Sequence, residues 1–303
     1  MSFGGMTYIT MACEVLAPSR TRNEGQTSVT DPKSRPRKER KIAAMIRVMW
    51  LLFLLLALVG LSLAQAPETK ISLVSPNSSV KPGSTDMVGI RFEIPSGWHM
   101  YWVNPGDAGE PPKVQWTLPA GWSASDLRWP VPQRLVNAAG VDYGYDGDVT
   151  LLTPMKVGTS GGDLNANLRW LICKDICVPQ KGAAKLSMKV GASAVADPAG
   201  NQAINDARAK LPKVVPDEWK ANGYQNPGQV ILNFRPGIKV SSATFFPQER
   251  DVIDNAAPQK LSSTSYAAQL VMKKADTSTK IHRQRGVLVV NDESAYAIDV
   301  PVK

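Results

Sequence analysis

The feature that most constrains this chain is a two-residue alternation of apolar and polar side chains, repeated in short runs between turn signals. In "DLNANLRWLIC" the apolar set is Leu164, Ala166, Leu168, Trp170 and Ile172. In "DMVGIRFEI" it is Val88, Ile90, Phe92 and Ile94, set against Gly89, Arg91 and Glu93. "KVQWTL" offers Val114, Trp116 and Leu118, and "KLSMKV" offers Leu186, Met188 and Val190. Successive side chains of a strand point to opposite faces, so each run has one face for a core and one for water. Clusters such as "NPGDAGEPP" and "YGYDGD" separate the runs, and 23 Pro and 23 Gly favour many turns over long helices. Short strands at this spacing predict antiparallel β-sandwiches.

A second set of strand-like runs, "QVILNF", "SSATFF", "SYAAQLVMKK", "GVLVVN" and "YAIDVPV", continues to Lys303. Between the sets, "DPAGNQAINDARAKLP" predicts one helix, with Asp197 as N-cap, Pro198 at the first position and a stop at Pro212. The expected organisation is all-β: one sandwich over 67–195, a helical connection over 196–215 and a second sandwich over 216–303.

The chain start reads differently. Residues 1–44 are polar and end in the basic run "PKSRPRKERK", the pattern of a disordered or upstream extension. Met45 then opens "MIRVMWLLFLLLALVGLSLAQA": Arg47, an apolar run, and small residues at Ser62 and Ala64. This is a secretory signal pattern over 45–64 with cleavage after Ala64, an uncleaved N-terminal anchor being the rival. Export would place the rest of the chain outside the cytosol, in an oxidising compartment. Nine Lys/Arg and four Asp/Glu fall within residues 1–64, so only +4 of the formal +9 belongs to the remainder, which argues against a nucleic-acid partner.

Cleavage also removes Cys13. The remaining thiol inventory is Cys173 and Cys177 in "WLICKDICVPQ", at the end of an alternating run and in an oxidising compartment. If Trp170 and Ile172 face the core, Arg169, Leu171 and Cys173 face away from it, and Cys173 emerges on the outer side within a partner's reach. Three readings stand. An inert disulfide is the usual one in exported proteins, but closing a five-residue loop gains only about 2 kcal/mol in the chain-entropy model. A metal site needs more ligands than two cysteines plus His99 and His282 supply readily, copper(I) on the dithiol with His99 being the version to weigh. A reactive dithiol needs no cofactor.

The other dense stretch is "GWHMYWVNPGDAGEPPKVQW". Large aromatics in a strand usually serve a core. Here Trp98, Met100 and Trp102 alternate with His99, Tyr101 and Val103, so His99 and Tyr101 share one face and could flank a dithiol.

Taken in order, "GWHMYWVNPGDAGEPP", "LRWPVPQRL", "VDYGYDGDVTLLTP", "WLICKDICVPQ" and "FFPQERDVIDNAAPQ" resemble the N-terminal periplasmic domain family of the thiol:disulfide interchange protein DsbD. Within it they are most similar to the ScsB-like branch, also called disulfide bond corrector domains. The resemblance implies immunoglobulin-like sandwiches and a protein-disulfide reductase role in thiol–disulfide interchange. In that relay a membrane-embedded thiol transporter reduces the domain, and the domain reduces periplasmic thioredoxin-like proteins. Those serve disulfide isomerisation, cytochrome c maturation or copper tolerance. By position it implies Cys173 and Cys177 as the redox pair, with Cys177 joining the partner and Cys173 resolving. It also implies His99 and Tyr101 as lining residues, and Asp142 and Tyr143 in a loop that caps the site. The sequence departs from the family in three respects. Its cysteines stand three residues apart where the best-studied members have five, His99 stands where they have tyrosine, and the cap-loop residues differ. With no transporter sequence before Lys303, the expectation is that the electron donor is a separate protein or that the domain has another job.

Overall fold

Alternating runs become strands wherever one face can be buried, and here nearly every run does so. The structure, a computed structural model, describes residues 37–59, 67–138 and 140–303. The chain divides into two compact units, with the boundary after residue 65.

In the first unit, helix α1 spans Arg37–Val59. It covers most of the apolar run and begins upstream of Met45, so residues 37–44, the end of the expected disordered or upstream extension, are helical. "RKERKIAAM" is made of good helix formers, which carries the helix past the polar boundary. Met45, Trp50 and Phe53 are exposed on it. No helix among the described residues is long and apolar enough to cross a membrane. Residues 1–36 and the expected cleavage position at Ala64 lie outside the described residues.

The second unit begins with β1 (Lys70–Val74), β2 (Asn77–Val80), β3 (Thr85–Glu93), β4 (His99–Gly106), β5 (Lys113–Thr117) and β6 (Ser123–Ala124). Strands β7 (Gln133–Asn137), β8 (Gly140–Asp146), β9 (Val149–Lys156), β10 (Gly162–Cys173), β11 (Cys177–Val190) and β12 (Val195–Ala196) follow. They form one sheet in the order β1-β3-β9-β6 and a larger one in the order β12-β2-β11-β10-β4-β8-β7, with β5 also on β10. Val88, Ile90 and Phe92 of β3 meet Leu164, Leu168, Trp170 and Ile172 of β10 in one core, as the alternation predicts.

Helix α2 (Pro198–Ala209) has its first turn capped by Asp197, whose carboxylate accepts from the backbone N–H groups of Ala199 and Gly200. It is more than a connector. Ile204 and Ala207 pack on Leu152 of β9, so this strand is covered on its outer face too.

Strands β13 (Lys213–Val214), β14 (Asn222–Asn226), β15 (Gln229–Phe234), β16 (Ala243–Pro247) and β17 (Lys260–Ser263) lead to β18 (Ala268–Lys273), β19 (Arg283–Val290) and β20 (Ser294–Pro301). Two sheets, β13-β20-β19-β16 and β14-β15-β18-β17, enclose a separate core around Leu232, Phe234, Phe245, Leu270 and Leu288. The fold is thus two antiparallel sandwiches, with parallel pairing among the described residues only at β2–β11, at β13–β20 and in an isolated bridge between Gly223 and Val302.

The two sandwiches meet through apolar and polar contacts: Phe246 and Val287 of the second join the core of the first, and buried Asn104 adds a polar link. Asn104, 2% exposed, donates both amide hydrogens across the junction, to Pro247 O at 2.8 Å and Glu249 O at 3.0 Å. Its Oδ1 accepts from Gly106 N at 3.0 Å. Asn104→Ala leaves these groups unpaired and is expected to cost about 2 kcal/mol. Denaturant unfolding should show a lower midpoint, and an unchanged midpoint would mean that the junction is not held this way.

Candidate functional site

Strands β10 and β11 form a hairpin whose twelve registered pairs run from Gly162↔Met188 to Cys173↔Cys177. The last pair therefore sets the two cysteines directly opposite, and they are joined by a disulfide. Only Lys174–Ile176 separates the strands, with Lys174 N donating to Ile176 O at 3.1 Å. A bond that closes this loop adds little to a hairpin already fixed by its ladder.

On its other side β10 pairs with β4, where Cys173 lies opposite His99. His99 and Tyr101 share a face as predicted, their rings edge-to-face at 5.3 Å. The Tyr101 hydroxyl donates to Cys173 Sγ at 2.9 Å and lies 3.4 Å from Cys177 Sγ. Burial first, and then the Asp142 charge, push the Tyr101 pKa up to about 12, so the hydroxyl keeps its proton for donation.

Accessibility at the two sulfurs differs from the sequence expectation. Cys173 faces away from the main core, yet it is buried at 2% exposure, while Cys177 and the neighbouring Ile176 are exposed. The strand's outer face is not open at this end because Tyr101, itself 1% exposed, lies against it. The loop after β4 seals Tyr101 in turn. Gly109 sits so close to the Tyr101 ring that a Cβ there would overlap it, and its φ of +80° suits glycine.

That loop is the cap, and it is tied from several sides. Ala108 N donates to Asp142 Oδ1 at 3.1 Å. Asp107 Oδ2 accepts from Val141 N at 2.7 Å, and its Oδ1 accepts from Asn255 Nδ2 of the second sandwich, also at 2.7 Å. Arg250 donates to Gly109 O at 2.6 Å.

Asp142 and Tyr143, expected in the cap loop, instead occupy β8, paired with β4 and β7. Alternation then separates them. Asp142 is on the site face, accepting from Asn137 Nδ2 at 2.6 Å and standing 3.8 Å from His99 Nε2. Tyr143 points the other way, stacking edge-to-face on Phe246 and donating to Asn255 Oδ1 at 2.9 Å. The structure therefore groups Cys173, Cys177, His99, Tyr101 and Asp142, and excludes Tyr143. Sequence reading missed Asp107, Gly109, Arg250 and Asn255, although all four lie within the quoted "NPGDAGEPP" and "FFPQERDVIDNAAPQ". Among the described residues no group of three His, Cys, Asp or Glu side chains is placed to hold a metal ion.

His99 Nε2 is buried without a hydrogen-bond partner among the described residues. Desolvation lowers its pKa below 6.5 and outweighs the opposing charges of Asp142 and Asp146. The unfolded chain thus takes up a proton first on acidification. The stability tied to neutral His99 is complete above about pH 6.5 and falls away as pH drops towards the depressed folded value. Unfolding midpoints are expected to fall between about pH 7.5 and pH 5, and His99→Gln should flatten that dependence; equal slopes in the two proteins would contradict this placement of His99.

Residues 70–189 match the family model described as thiol:disulfide interchange protein DsbD, N-terminal. Among solved structures, the N-terminal periplasmic domain of ScsB from Proteus mirabilis aligns at a TM-score of 0.62 and 18% identity, covering 80% of this chain and 96% of that one. The Escherichia coli adhesin FdeC and the major pilin BcpA of Bacillus cereus each align over 78% of this chain and 64% and 67% of their own. Their identities are 13% and 8% and their TM-scores 0.19 and 0.26. No curated protein matches the chain. The resemblance read from the motifs therefore holds over residues 70–189, which match the N-terminal, thiol–disulfide interchange domain of DsbD and its immunoglobulin-like β-sandwich fold.

Proposed function

We propose that this protein exchanges thiols and disulfides through Cys173 and Cys177, acting as a periplasmic protein-disulfide reductase. The observation that carries the reading is the asymmetry of the pair: Cys173 is buried under Tyr101, while Cys177 and the neighbouring Ile176 are exposed. A staple needs no such difference. An exchanger does, because one cysteine must meet the partner while the other waits for the second step.

In the reduced protein, the Cys177 thiolate attacks one sulfur of a partner disulfide and expels the other partner sulfur as a thiolate, which takes a proton from solvent. Cys173 then loses its proton and attacks the Cys177 sulfur, forming the intramolecular disulfide and releasing the second partner thiol. The partner gains two electrons and the protein loses two. Tyr101, protonated and in contact with both sulfurs, is placed to donate to the thiolate form.

Electrons arrive, in this reading, from a membrane-embedded thiol transporter and leave to thioredoxin-like proteins, as the DsbD resemblance suggests. Export through the 45–64 segment would bring the chain to those partners, and the exposed apolar face of α1 supports a role in targeting.

Cys173→Ser is expected to trap a mixed disulfide through Cys177 with an oxidised thioredoxin-fold protein bearing a Cys-Xaa-Xaa-Cys pair. The adduct should appear on a non-reducing gel and vanish on reduction, and Cys177→Ser should give none. No adduct from Cys173→Ser would count against exchange.

A further inference from the structure

The face of the β10–β11 hairpin that bears the disulfide continues as a groove with its own charge pattern. Strand alternation puts Cys173, Leu171 and Arg169 of β10 on one face with Cys177, Pro179 and Lys181 of β11. Next to the sulfurs comes an apolar pair, Leu171↔Pro179, and then Arg169↔Lys181. Arg169 is also opposite Lys113 of β5. Three cations therefore meet in register across three adjacent strands, an arrangement that is destabilising in isolation.

Lys113 has Glu110 at 2.9 Å. Arg169 and Lys181 are exposed and have no carboxylate within ion-pair distance among the described residues. Farther from the sulfurs on the same face, Lys185 is supplied with Asp163 at 3.2 Å. The hairpin thus balances its cation there and leaves the pair nearer the disulfide unbalanced. An open groove of about 500 Å³, lined by Glu110, Pro111, Lys113, Arg169, Leu171 and Lys181, covers this stretch.

We infer that this groove docks an extended acidic segment of the partner whose disulfide meets Cys177. The inference rests on the exchange reading and adds to it the chemistry of the partner. Four residues of strand separate Cys177 from Lys181, about 13 Å. An extended partner strand entering from the sulfurs therefore offers its carboxylates three to five residues from its own cysteine. Leu171 and Pro179 provide the apolar contact between the two points. Attraction in such a groove acts mainly on the encounter rate and is screened by salt.

The test uses the reduced full chain and three oxidised peptide dimers, each a short peptide with one cysteine. Residues three to five positions away are Asp/Glu in one, Ser in the second and Lys in the third. Each exchange oxidises Cys173 and Cys177 to the disulfide and reduces one peptide dimer to two thiols, which are counted over time. At low salt the acidic peptide is expected to react about tenfold faster than the basic one, and the gap should close as salt is raised. Arg169→Glu with Lys181→Glu should reverse the order. Lys239→Glu with Lys260→Glu, an equal charge change at exposed sites on the second sandwich, should preserve it. Equal rates for the three peptides, or the same order in the Arg169/Lys181 variant, would overturn the acidic groove while leaving exchange intact. No reaction with any peptide would overturn the exchange reading and this inference with it.

Discussion

Everything at this site depends on the register of the β10–β11 ladder. Because Ile172 pairs with Val178 and Trp170 with Gln180, Cys173 and Cys177 have nowhere to be except opposite each other. A slip of one residue would swing Cys173 onto the face of Trp170 and Ile172 and take it from Tyr101. The ladder is itself held by the core, since Leu164, Ala166, Leu168, Trp170 and Ile172 are all buried. The hydrophobic pattern that makes a sandwich also aims the sulfurs. The disulfide closes the end of a ladder of twelve registered pairs, so the hairpin has many contacts besides that bond.

Burial of Cys173 is built from layers of contact. Tyr101 covers the sulfur, Gly109 covers Tyr101, and the loop that carries Gly109 is tied to Asp142 on β8 and to Arg250 and Asn255 on the second sandwich. Asn104 adds a buried polar link between the same two halves. The second sandwich is therefore continuous, through named hydrogen bonds, with the cap above the sulfurs. Ile176 and Cys177 are exposed outside these layers, whereas Cys173 is buried within them.

Much of this was legible in the sequence, for identifiable reasons. Period-two patterning named the buried residues of β3 and β10 because both strands bury one face against a single core. Asp197 and Pro198 marked the helix start because capping is local chemistry. Exposure of Cys173 was misread because alternation tells which face a side chain takes and not what covers that face. Cys173 does turn from the main core, but a tyrosine and a glycine loop contributed by β4 and its exit close over it. Tyr143 was misplaced by the same kind of reasoning: a loop assignment carried over by resemblance ignored that "VDYGYDG" can pair as a strand, which sends Asp142 and Tyr143 to opposite faces. The ties from Asn255 and Arg250 span more than 140 residues of sequence, and nothing local in "FFPQERDVIDNAAPQ" announces them.

The account's central claim is that the two sulfurs are unequal, with Cys177 meeting the partner and Cys173 held beneath Tyr101. The most direct test is competitive alkylation of the reduced, folded protein, with modification at each cysteine followed by peptide mass spectrometry. The account predicts that Cys177 is modified at least tenfold faster, and that the difference disappears in denaturant. Equal rates in the folded protein, or faster modification of Cys173, would contradict it.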